Sequence, residues 1–295
     1  MKTKIFAMAI AALALAACDK NNDDFTVDNF KDTPLTIASA GVADLSTRAI
    51  IEGQLIGTVD ENVSMSVWIT GSADKYNADN VEWYHNGTNW NSNSWYHNGT
   101  NWNSNSSVLY EGYDNQEICA LSPYVSGASA DGVTITADGV TDYLIATSKI
   151  VTSNSVSLTM THALTKLVLV PTLGTEVADD EIAKVEVQNM YASGTLNIEE
   201  NSWSNQGEAT ATLTMANNEV LVIPMEECGS FPIVVTMNSG RVFKATISLD
   251  NVESELAAGT QYTITLRVGQ DTVIIGGITA DSWGTPISGG NLETK

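Results

Sequence analysis

Residues 63–69, VSMSVWI, alternate from side to side: Val63, Met65, Val67 and Ile69 fall on one face, Ser64, Ser66 and Trp68 on the other. A period of two marks a strand with one face on a core. The signal recurs throughout. It appears first in Pro34-Leu35-Thr36-Ile37, which ends at a glycine turn at Gly41, and resumes after Arg48 in the extended run AIIEGQLIGTV. Residues 108–113 and 116–124 predict two more strands, Asp131-Gly132 and Asp138-Gly139 predict turns, and residues 143–146 lead into 156–158. From Leu158 a second unit begins in SLTMTHALTKLVLV and continues through 183–190, 209–215, 219–223 and 231–236. A turn at Asn238-Ser239-Gly240 leads into 242–249, and residues 261–268 and 272–275 close the unit. The one candidate helical turn, residues 178–183, is short and acidic. Many strands at turn-marked intervals without helices between them predict an all-β chain of two tandem β-sandwiches, with the boundary near residue 157.

One block interrupts this order. Residues 83–94, WYHNGTNWNSNS, are followed at once by an identical copy at 95–106. Each copy reads as a hairpin, because Asn86-Gly87 and Asn98-Gly99 are type I′ turn signals. A two-residue loop would set Trp83 opposite Trp90 and Trp95 opposite Trp102. Four tryptophans among amides are candidate glycan contacts. The plainer reading is a tandem duplication that a hairpin tip tolerates at little entropic expense. His85 and His97 recur only because the block does, which gives no reason to read a metal site there.

The N-terminus follows a different pattern. Lys2 and Lys4 precede an apolar run that ends Leu15-Ala16-Ala17-Cys18, the form of a lipoprotein signal peptide over residues 1–17, with the Cys18 thiol as the acylation site. The run is shorter than the roughly 20 residues a bilayer span needs. Residues 19–24, DKNNDD, read as a solvated tether. Thirteen Lys and Arg against 35 Asp and Glu give a formal charge of −22, and losing the two lysines of the signal peptide takes it to −24. Such a surface excludes nucleic acid as a partner class. Cys119 and Cys228 lie far apart in apolar contexts and read as buried small side chains.

The chain carries no HExxH, CxxC, GxSxG, P-loop or EF-hand loop, so neither catalysis, a cofactor nor a metal is expected. His162 sits in an apolar strand and reads as a hydrogen-bonded structural histidine.

These segments together resemble the fimbrillins, lipoprotein precursors of the protease-matured, strand-exchanged pili called type V. The likeness is carried by Leu15 to Cys18, Ser46-Thr47-Arg48-Ala49, Ser122-Pro123-Tyr124, His162-Ala163-Leu164 with Lys166, LAAGTQYTITLRV from Leu256 and ITADSWG from Ile278. Cys119 stands where an aromatic is usual, and the duplicated block is this chain's own. The resemblance implies transthyretin-like sandwiches at 49–157 and 158–295, and a tether with a removable first strand at 18–48. It also implies a membrane-held outer membrane lipoprotein precursor, cut by an Arg-specific protease between Arg48 and Ala49 and then built into a cell surface fimbrium. The cut would free the strand holding Leu35 and Ile37. A segment of a neighbouring fimbrial subunit would take its place, here the stretch 273–278, offering Val273 and Ile275 or Ile274 and Ile278. The implied function is a structural, non-enzymatic subunit that contributes to adhesion, in the shaft or as an anchor or tip. A different class, a carbohydrate-binding surface lipoprotein, would use the tryptophan block instead and leave Arg48 incidental.

Overall fold

The computed structural model describes residues 30–42, 63–85, 90–92, 95–97, 102–104, 108–112, 115–250, 252 and 255–283. Among them are twenty strands and no α-helix. The first ten strands are β1 (Thr36–Val42), β2 (Val63–Thr70), β3 (Ala78–His85), β4 (Trp90–Ser92), β5 (Trp95–His97), β6 (Trp102–Ser104), β7 (Glu117–Ser122), β8 (Val133–Thr136), β9 (Leu144–Ile150) and β10 (Ser155–His162). Seven of them form one sheet in the order β1-β10-β9-β7-β2-β3-β4. β10 joins its two parts: residues 155–160 run parallel to β1, whereas Thr161 and His162 pair antiparallel with Ile145 and Leu144.

β2 shows why alternation arises and where it misleads. Met65, Val67 and Ile69 enter one core, with Leu35, Ile37, Ile118, Leu158 and Met160. Trp68 enters a second core on the other face with Cys119, Leu121, Val133 and Leu196. The face read as polar is therefore also covered, and buried Ser66 is satisfied by accepting the Val125 amide at 3.0 Å.

The second ten strands are β11 (Thr165–Leu173), β12 (Ile182–Tyr191), β13 (Ser193–Asn197), β14 (Ser202–Ser204), β15 (Ala209–Thr214), β16 (Glu219–Val222), β17 (Ser230–Met237), β18 (Val242–Ser248), β19 (Thr260–Val268) and β20 (Val273–Ser282). Two four-stranded sheets, β16-β11-β19-β20 and β15-β12-β17-β18, enclose a core that includes Leu167, Val187, Phe231, Ile247 and Tyr262. Strand β11 lies parallel to β19, as β1 lies parallel to β10, so in each unit an early strand flanks a late one in the same direction.

The units interlock. β8 of the first pairs antiparallel with β13 of the second, and β14 completes this three-stranded sheet over the second face of β2 and β7. Strand β10 spans residue 157 and stays in the first sheet, so the change of unit comes at Ala163-Leu164 rather than at the expected boundary. The physical sign is a change of parity: Leu158 and Met160 face in before the junction, Leu167 and Leu169 after it.

Other expectations need local correction. Strand β1 continues through Gly41 to Val42 instead of turning there. Residues 108–110 form no strand, although Leu109 bridges to Pro34. The acidic turn lies slightly earlier, as a 3-10 turn at Thr175–Val177. In the duplicated block His85 pairs with Trp90, and Trp83 with Ser92; the copy repeats this with His97–Trp102 and Trp95–Ser104. Four residues rather than two thus separate the innermost paired positions. A shift of two leaves every side chain on its original face.

Candidate functional site

The segment that the fimbrillin resemblance implies is removable is built into the first core. Leu35, Ile37 and Ala40 are 1%, 4% and 4% exposed and pack in one cluster with Val156, Leu158 and Met160 of β10. Pairing steps from Ile37–Val156 to Ser39–Ser157, which leaves Ala38 as an extra, bulged residue. The stretch before β1 is held as well. The Leu35 amide donates to the Val108 carbonyl at 2.7 Å, the Tyr110 amide to Thr33 at 2.8 Å, and the Thr36 amide to Asn154 at 2.8 Å.

Asp32 adds a polar latch. Its Oδ1 accepts from Lys75 Nζ and from the Tyr76 hydroxyl, each at 2.6 Å, and these two hydrogen bonds hold its carboxyl below the usual aspartate range. Lys75 and Tyr76 lie in the 3-10 turn Asp74–Tyr76, where Tyr76 is buried. An exposed ion pair contributes little alone, but here it fixes the end of a strand already seated by three apolar side chains.

Toward the other end of the chain, among the described residues, β20 is an edge strand paired only with β19. Val273, Ile275 and Ile278 pack partly buried on the core of the second unit, between its two four-stranded sheets, while Ile274 is 56% exposed. These three share a side because pairing jumps from Leu266–Ile275 to Thr265–Gly277 and leaves Gly276 as the extra residue. A side chain there would come 2.9 Å from Thr265 Oγ1, so glycine suits the bulge. Beyond β20, the Trp283 amide donates to the Gly259 carbonyl at 2.7 Å and its indole stacks on His162, the last residue of β10. The histidine Nδ1 lies 2.8 Å from Asp142 Oδ2, as expected for a structural histidine.

Cys119 and Cys228 are free and buried, and burial, with Glu199 and Glu117 nearby, pushes the Cys119 thiol up to about 12. Among the described residues no three His, Cys, Asp or Glu side chains are grouped to hold a metal, and no helix is long and apolar enough to cross a membrane.

A family model described as fimbrillin-like matches residues 20–283, which spans both units, the first strand and the last. The chain belongs to the fimbrillin-like family.

The fold of this fimbrillin-like chain also recurs in solved structures. A proposed cell adhesion protein of Bacteroides ovatus aligns with a TM-score of 0.64 and 16% identity over 85% of this chain and 97% of its own. A proposed cell adhesion protein of Bacteroides uniformis gives 0.62 and 15% over 85% and 98%. A fimbrial protein of Bacteroides vulgatus gives 0.51 and 10% over 85% and 99%. At these identities the likeness is one of fold. Comparison with curated proteins finds no match.

Three expected sites of the fimbrillin-like chain, Cys18, Arg48 and Ala49, lie outside the described residues. Trp83 is 3% exposed and belongs to the first core, so it cannot serve a surface sugar platform. The side chains of Trp90, Trp95 and Trp102 lie outside the described residues. Sequence reasoning missed Ala40, hidden by the bulge, and Asp32, whose partners lie 43 and 44 positions away. It also missed the Trp283–His162 stack, although both residues carry the family resemblance.

Proposed function

We infer that this fimbrillin-like protein is a structural subunit of a surface fimbrium that contributes to adhesion and is assembled by strand exchange after proteolysis. Acyl chains on Cys18 hold the precursor to the membrane, and an Arg-specific protease cuts between Arg48 and Ala49. The observation that supports this reading is the position of β1. It completes the first core through Leu35, Ile37 and Ala40, yet it lies wholly on the N-terminal side of Arg48.

While the chain is intact, β1 fills its own groove and the precursor is monomeric. Cutting makes β1 a separate peptide. Burying a Leu or Ile side chain is worth about 1.5–3 kcal/mol, so β1 has a finite hold that a strand from another subunit can exceed. The exposed backbone edge of β20 and its three apolar side chains fit the donor role. Subunits joined in this way partner other fimbrial subunits by backbone pairing and apolar burial, without cofactor or chemistry of their own.

The test uses soluble precursor beginning at residue 19 and an Arg-specific protease. The expected result is cleavage after Arg48 and a ladder of oligomers on an unboiled denaturing gel, with Arg48→Ala remaining monomeric. A cleaved wild-type protein that stays monomeric at high concentration would refute strand exchange by this chain.

A further inference from the structure

The first and last described strands carry the same inward pattern, down to the place where it breaks. In β1 and the residue just before it the core-facing side chains are Leu35, Ile37 and Ala40, with Ala38 bulged. In β20 they are Val273, Ile275 and Ile278, with Gly276 bulged. Counted from the first apolar residue, both strands face inward at positions one, three and six and bulge at position four. A bulge reverses parity, so a strand without one at that place would turn its third apolar residue to solvent. The pattern is also directional. Read backwards it faces inward at one, four and six, which no longer matches.

We propose that β20 of a second copy of this chain occupies the β1 groove in a single register, parallel to β10, with Val273 at the site of Leu35, Ile275 at that of Ile37 and Ile278 at that of Ala40. This rests on the strand-exchange reading above and specifies its geometry. Isoleucine in place of Ala40 adds three side-chain carbons and valine in place of Leu35 removes one, so the incoming strand offers more apolar bulk than the strand it displaces. The register sets Ile274 opposite Ser155, where Thr36 pairs in the uncut chain. It also sets Ala280 opposite Met160, where Val42 pairs, and carries the incoming Trp283 level with Ala163, beside His162.

Paired cysteines on outward positions read the register directly. Full-length chain in detergent would carry Ser155→Cys with Ile274→Cys, both exposed sites, and would be cut after Arg48 and oxidised. The comparison pairs are Ser157→Cys with Ile274→Cys for a parallel shift of two residues, and Ser155→Cys with Thr279→Cys for a reversed strand. A two-residue displacement along a strand adds more reach than a disulfide tolerates, so the expected pair should give about tenfold more reducible intermolecular dimer than either alternative. Uncut chain should give none, because Thr36 still lies opposite Ser155. If unboiled ladders form but the cross-link favours a comparison pair, the register is wrong while strand exchange stands. If the cut chain gives no ladder and no cross-link, the exchange reading and this register fall together.

Discussion

The ring of His162 lies flat against the indole of Trp283, with centroids 3.6 Å apart and planes 10° from parallel. His162 ends β10, the strand that pairs with β1, and Trp283 follows β20, so the contact fastens the end of the exposed edge strand to the first unit. Lys166 Nζ stands 5.9 Å from the indole centroid and also pairs with Glu219 at 2.7 Å. A stacked aromatic pair is worth about 0.5–1.5 kcal/mol beyond its buried area. The stack adds a hold of that small size at the far end of the edge strand, beside the hydrogen bond from the Trp283 amide to the Gly259 carbonyl.

Trp283→Ala is therefore expected to loosen β20 selectively. Hydrogen exchange of amides 278–282 should quicken severalfold while amides of β11 and β12 keep their protection, and global stability should fall by about 1 kcal/mol. Equal exchange across β20 in both proteins would show that the stack does not hold the strand.

In the uncut chain, Leu35→Ala and Ile37→Ala should each destabilise the first unit by about 2–5 kcal/mol, since each leaves a cavity in a closed core. Ile274→Ala, at a 56% exposed site, should stay within about 0.5 kcal/mol. Denaturant unfolding checks all three. A small effect at Leu35 would mean that β1 is dispensable to the fold.

Acid should act on the second unit through Asp180. Its carboxylate accepts from the Ser239 hydroxyl at 2.6 Å and from Arg241 Nη2 at 3.0 Å, and these bonds hold its pKa at about 2 against an ordinary 3.8. A carboxylate with a folded pKa below its unfolded one adds stability that is present above 3.8 and lost as pH falls toward about 2. Between those limits the unfolding midpoint of the wild type should drop more steeply than that of Asp180→Asn. Matching slopes would remove Asp180 from the acid response.

Deleting residues 95–106 should change stability by no more than about 1 kcal/mol. Among the described residues, β5 and β6 pair only with each other, outside the seven-stranded sheet that β3 and β4 extend. Thermal unfolding of the shortened chain measures this, and loss of the cooperative transition would show the copy to be structural.

Strands with a strict period of two were legible because their burial is local in origin: 63–69 and 261–268 both lie within strands where they were expected. The bulges were not legible, since Ala38 and Gly276 are displaced by pairing with β10 and β19, and a single strand carries no record of its partner. The same limit hid β13 and β14: the short run Ser193–Asn197 acquires strand form against β8, and Ser202–Ser204 in turn against β13. The change of parity at Ala163-Leu164 did stand in the sequence, and it marks the end of one strand and the start of another. Of the candidate site, Leu35, Ile37 and the apolar residues of β20 could be read, whereas Ala40 could not. The Asp32–Lys75–Tyr76 latch could not, because only folding brings it together.

The parallel pairing of β11 with β19 has a mechanical meaning. Tension that enters the second unit at Thr165 and leaves at Val268 pulls two neighbouring strands in opposite directions along their length, from the start of one and the end of the other. The evenly spaced bonds between them, from Lys166–Gln261 to Leu173–Val268, then share the load and must yield together, whereas a hairpin pulled at its open end unzips one bond at a time. This unit is a shear clamp, strongest along the line in which the chain itself would be stretched.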